Sequence, residues 1–146
     1  MLLAVASLLA VGAEAQEAGR VDDARAALAG APVPRDTTRW RPVASSSGTR
    51  VYVDSESVGR SGTVVDVWTW HALPEPRRPR FGTTYDRVLR QDRVFCLVRA
   101  TAPVQVVQYL GRASVGGYLF PEDVGPFGWA PGSVEEAVAE RVCRAE

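Results

Sequence analysis

Along most of the chain, apolar positions come in short runs bounded by Gly, Ser or Pro, the pattern of strands joined by tight turns. The first run covers residues 39–44, and Pro42 confines it to a sheet edge. After the Ser45-Ser-Ser-Gly48 turn comes a short strand at 51–54. After Gly59-Arg-Ser-Gly62 comes one at 63–73, rich in β-branched and aromatic residues. The prolines of Pro74-Glu-Pro-Arg-Arg-Pro-Arg80 predict an exposed loop over 73–81. Strands are expected at 83–90 and 93–100, joined by a tight Gln91-Asp92 turn, then at 104–110 and 117–120. Such close spacing suits antiparallel hairpins rather than βαβ units. No period of 20–50 residues repeats, so the chain is not a solenoid. Residues 121–132 are a turn-rich crossover that brings Trp129 to the last element. There the period changes: Ser133 and Glu136 form a capping box, and Val134, Ala137, Val138 and Val142 follow at helical spacing.

Alternation assigns the faces. In the strand at 93–100, Val94, Cys96, Val98 and Ala100 share one side and Phe95 and Leu97 the other. Trp68 and Trp70 share a face opposite Val65 and Val67. One helix covers only one apolar face, so the second must curl on itself, take the N-terminal segment or meet a partner. A homodimer through that face is the expectation.

Composition bears on the compartment. The chain has 146 residues, about one domain, with 46% hydrophobic and 23% charged residues, which excludes a disordered chain. Residues 1–15 have the form of a signal peptide: an apolar run over 2–11, then Ala13-Glu14-Ala15, though without a positive n-region. That run is too short for a transmembrane anchor, and no Cys follows it to carry a lipid. Residues 16–39 form a linker with a short helix at 21–29, closed by Gly30-Ala-Pro-Val-Pro34, and the compact domain spans 40–146. In an exported chain the only two cysteines, Cys96 and Cys143, are expected to form a disulfide that pins the terminal helix to the sheet. The alternative is two free thiols in a reducing cytosol, which needs the export signal to fail.

Formal net charge is zero, so no overall field draws the chain to nucleic acid or membrane. All 17 basic residues are Arg. Their distribution is segmental: from Arg77 to Arg99 there are seven Arg against Asp86 and Asp92, whereas residues 122–146 hold six acids and two Arg. Guanidinium forks match phosphate and sulfate, so Arg77, Arg78 and Arg80 are candidate contacts for an anionic partner such as a lipopolysaccharide phosphate or sulfated glycan. The bland alternative is a solvated loop. Trp68 and Trp70, with Trp129, could form an aromatic binding surface or simply pack in the core. Catalysis finds no support. His71 is the only histidine and follows Trp70 at a strand end as a half-exposed spectator. No nucleophile elbow or phosphate loop occurs, and Asp54 reads as a turn residue. One His and two distant Cys do not make a metal site, and no cofactor is implied.

Trp40-Arg-Pro-Val43, Val51-Tyr-Val-Asp54, Val65-Asp-Val-Trp68, Cys96, and Gly125-Pro-Phe-Gly-Trp129 with Pro131-Gly-Ser133 through Cys143 resemble the surface-adhesin protein E family of exported bacterial proteins. The resemblance spans residues 40–143. It implies an α+β fold: an antiparallel β-sheet of about six strands with a C-terminal α-helix on one face, tied by the two cysteines. It also implies an exported binding protein, in the periplasm or at the cell surface. Its partners would be host matrix or plasma proteins such as laminin, vitronectin and plasminogen; an anionic envelope glycolipid is suggested by the Arg77–Arg80 loop instead. The absence of Lys removes the usual handle for plasminogen kringles. The alternative is a periplasmic accessory domain of an envelope assembly without adhesive activity.

Overall fold

The computed structural model describes residues 38–111 and 113–144. The signal segment, the short helix at 21–29 and the rest of the lead-in to residue 37 lie outside the described residues. The elements are β1 (Trp40–Ser46), β2 (Thr49–Asp54), β3 (Gly59–Ser61), β4 (Val64–Arg77), β5 (Tyr85–Phe95), β6 (Ala100–Leu110), β7 (Ala113–Leu119), β8 (Phe127–Gly128) and α1 (Val134–Cys143). One antiparallel sheet runs in the order β1-β2-β4-β5-β6-β7, with β3 on β4 and β8 on β6 as short additions. The fold is the expected α+β arrangement of six main strands and one terminal helix. β1 lies at the edge, where the missing N–H of Pro42 is tolerated and a bulge falls between Pro42 and Ala44.

Period-2 alternation builds the core under the helix. Val51 and Val53 of β2, Val65 and Val67 of β4 and Val94 of β5 meet Val138, Ala139 and Val142 of α1. Val138 and Val142 were expected from helical spacing; Ala139, fully buried, was not. The capping box is formed in one direction, with Glu136 N donating to Ser133 Oγ at 3.1 Å. The Glu136 carboxylate accepts from Gly132 N at 2.7 Å and from Arg99 Nη2 at 3.1 Å, which ties the helix start to the β5–β6 turn. Trp129 packs against the same core and donates its Nε1–H to Thr101 Oγ1 at 2.9 Å.

The Cys96–Cys143 disulfide is present, with Cα atoms 5.7 Å apart and a separation of 47 residues. Cys96 is not inside a strand, however. It follows the last residue of β5 in a turn in which Arg99 has φ +53° and Leu97 and Val98 stand exposed. Its N–H donates to Thr63 O at 3.0 Å and so prolongs the β4–β5 ladder.

Three further expectations are corrected. Gln91 and Asp92 do not form a turn; β5 continues through them, paired with Trp68 and Val67 on one side and Gln105 and Pro103 on the other. The skipped residue, Val104, makes a bulge on β6 that absorbs the local mismatch. The proline-rich stretch is partly strand: β4 extends to Arg77, which pairs with Tyr85. The ladder lapses between Ala72 and Arg77, so Pro74 and Pro76 fall where no N–H is required. Gly59–Ser61, expected as a turn, pairs with β4 instead.

Candidate functional site

Pairing decides which guanidiniums are free to bind. Arg93 forks onto Asp66 at 2.8 and 3.1 Å, and Arg39 onto the buried Asp54 at 3.0 and 2.8 Å. Arg99 meets Glu136, while Arg90 meets both Asp92 and Glu135. Among the described residues, Arg77, Arg78 and Arg80 have no carboxylate within ion-pair distance, and all three are exposed. They sit on the β4–β5 connection at one end of the sheet. Gly48, at φ +81°, lets the β1–β2 turn pack there: a Cβ at this position would come within 3.1 Å of the Pro74 ring. That packing brings Arg50, exposed and also without an acidic partner, to the same end. Phe81, 83% exposed, has the Arg80 guanidinium 5.4 Å above its ring. The resulting feature is a cationic tip with one aromatic side chain, made for surface contact rather than for enclosing a small molecule.

The two strand tryptophans are elsewhere. Trp68 is 6% and Trp70 1% exposed, so neither presents a surface to a partner. Trp70 packs edge-to-face against Trp40 at 5.7 Å, on the sheet face opposite the helix, where Tyr52, Leu89, Val107 and Tyr109 are also buried in the single chain. The core-packing alternative therefore holds for both.

A titratable cluster beneath the helix N-terminus was invisible in the sequence. Thr69, His71, Arg90 and Asp92 project from β4 and β5 toward Glu135 of α1. Thr69 Oγ1 lies 3.0 Å from His71 Nε2 and 3.4 Å from Arg90 O. Burial, reinforced by the nearby Arg90 charge and only partly opposed by Glu135, holds the His71 pKa down at about 4. Burial pushes Asp92 up to about 6, against the charge and hydrogen bond of Arg90 Nε at 2.7 Å. The free space here is about 10 Å³, far below what a substrate occupies. The cluster is a buried polar seam between helix and sheet. Asp54, read as a turn residue, accepts from Glu56 N at 3.1 Å as expected.

With this geometry in place, comparison with known proteins is decisive on one point. The family model for surface-adhesin protein E matches residues 40–144. The chain belongs to the surface-adhesin protein E family.

Similar solved structures include two of Haemophilus influenzae protein E. One is crystal form II of Haemophilus influenzae protein E, 16% identical, covering 70% of this chain and 91% of that one at a TM-score of 0.49. The other is protein E from non-typeable Haemophilus influenzae, also 16% identical, covering 80% and 82% at 0.48. No curated protein sequence is significantly similar to the chain. The surface-adhesin protein E family is one of adhesins rather than enzymes, and membership supports an exported or cell-surface location. Among the described residues no helix is long and apolar enough to cross a membrane, and no group of three metal-ligating side chains assembles. In this family member the structure unites Cys96 with Cys143 and keeps Arg77, Arg78 and Arg80 together in the open, but it takes Trp68 and Trp70 out of contact with solvent. Arg50 and Phe81 join the cationic tip from positions that charge counting along the sequence did not single out.

Proposed function

We propose that this surface-adhesin protein E family member is an exported adhesive protein. Its cationic tip engages acidic groups on host matrix or plasma proteins, or on an anionic envelope glycolipid. The observation that carries the reading is the exposed set Arg77, Arg78 and Arg80, left without acidic partners while six other arginines of the described residues are paired. Multiple guanidiniums on one projecting connection act by short-range forks and by steering, and both effects weaken with salt.

The R77S/R78S/R80S variant tests this. It should leave the fold intact, since all three side chains are solvent-exposed. It is expected to elute from long-chain heparin at lower salt and to bind immobilised laminin and vitronectin more weakly, by about tenfold or more if each lost contact is worth roughly 0.5–1 kcal/mol. Unchanged elution together with unchanged binding to both proteins would dismiss the tip as the adhesive element.

A further inference from the structure

Among the described residues, the arginines without an acidic partner fall into two groups, and only one is at the cationic tip. The second surrounds a groove of about 1040 Å³ between β1, β3 and the C-terminal half of α1. Arg41 enters it from β1, Arg60 from β3, Arg141 from α1, and Arg144 from the helix cap. Among the described residues, Arg41, Arg60 and Arg141 have no carboxylate within ion-pair distance. Arg144 lies 4.0 Å from Glu140, the one carboxylate lining the groove, and that pair is largely solvated.

A helix C-terminus attracts cations, and Arg60 Nη2 does donate to Arg144 O at 3.2 Å. That accounts for one or two of the four. It does not account for Arg41, which comes from a strand with no dipole to answer, nor for the second basic side chain on the helix. The groove floor includes the valines Val43, Val53 and Val142. Its β1 side is ill suited to strand addition: Pro42 has no N–H to offer and a bulge follows it. These interrupt a ladder added along this edge, and the guanidinium forks are the groove's most distinctive chemistry. Such forks suit tetrahedral oxyanions.

From this placement we infer that the groove is a binding site for sulfate or phosphate ester groups on a glycan, held by Arg41, Arg60, Arg141 and Arg144. It is distinct from the cationic tip. Arg60 pairs with Val65 near the start of β4, whereas Arg77 ends that strand, so at ~3.3 Å per residue the two lie at most about 40 Å apart; Arg41, level with Thr69 through Val53, lies nearer the tip. A hexasaccharide is a shorter probe than long-chain heparin, so its binding reports more directly on a single site.

The test titrates the full chain, in its disulfide-bonded form, with a heparin-derived hexasaccharide and, separately, with vesicles carrying phosphorylated lipid A. Binding is followed by calorimetry and by NMR of the arginine Nε–H groups. Expected is saturable hexasaccharide binding that perturbs Arg41 and Arg141, weakens by about tenfold or more in R41S/R60S/R141S, and changes less than twofold in R77S/R78S/R80S. R41S/R141S retains the Arg60 contact with the helix end and should show most of the same loss, which separates binding from any effect on folding. Preference for one probe assigns the ester source, sulfated glycan or phosphorylated glycolipid. No binding of either probe, or binding that survives both groove variants, overturns the inference and leaves the tip proposal standing.

Discussion

Asp92 and His71 respond to pH in opposite senses. The folded state holds Asp92 at about 6, above its ordinary value near 3.8, so folding favours its protonated form. Its contribution is fully present below pH 4 and is lost as pH rises through 6, a swing of roughly 3 kcal/mol. The folded state holds His71 at about 4, below its ordinary 6.5, so folding favours the neutral ring. Its contribution is fully present above pH 6.5 and is lost as pH falls through 4. Between these limits the two effects offset. D92N should therefore lose more stability than the native chain on going from pH 6.5 to 4, and H71N should lose less. Thermal denaturation at a series of pH values reads both; parallel curves for all three proteins would show that the seam does not titrate in this way. The same seam explains how a charge comes to lie in the middle of β5. Arg90, two residues from Asp92 on the same face, supplies the countercharge and also reaches Glu135 on the helix.

At the scale of elements, the terminal helix is short. Its ten residues bury only Val138, Ala139 and Val142 deeply. Isolated helices of this length are marginal, so its place depends on tertiary contacts and on the covalent link. A bridge closing 47 residues removes unfolded-state entropy worth roughly 4 kcal/mol. C96S/C143S is expected to unfold at markedly lower denaturant, with a stability loss approaching that figure. A change under about 1 kcal/mol would mean that the valine core and the Ser133 cap hold the helix unaided. Beneath the helix, the β4–β5 ladder runs unbroken from Val64–Phe95 to Ala72–Arg87 and carries the valines on which the helix packs.

At the scale of the molecule, a formal charge of zero conceals a division of labour. Acidic side chains neutralise arginines along the sheet and at the helix start, and the residual guanidiniums gather at the β4–β5 connection and around the groove between β1, β3 and α1. A protein with two separated cationic features and no net field is suited to multivalent attachment without indiscriminate adsorption to anions. Adhesion to host proteins requires the domain to face outward. On intact cells, external protease should therefore degrade it. Full protection until the outer membrane is breached would favour a periplasmic accessory role.

Strand alternation, the Ser133–Glu136 cap and the two cysteines determine a strand-rich sheet stapled to a terminal helix, because each follows a local rule: side-chain period, an unsatisfied helix N–H, an oxidising compartment. The edge position of Pro42 followed from the same kind of reasoning. What local rules could not supply was partnership. Asp92 reads as a turn residue until Arg90 and the neighbouring strands are seen around it, and the prolines at 74 and 76 read as loop until the lapse in the ladder beside them is known. Trp68 and Trp70 have the composition of a binding surface, and only three-dimensional packing put them inside. The groove arginines lie as far apart as positions 41 and 144 in the chain; their juxtaposition exists only because the helix folds back across the sheet. Ion pairing and burial depend on distances between remote residues, and those distances belong to the tertiary structure alone.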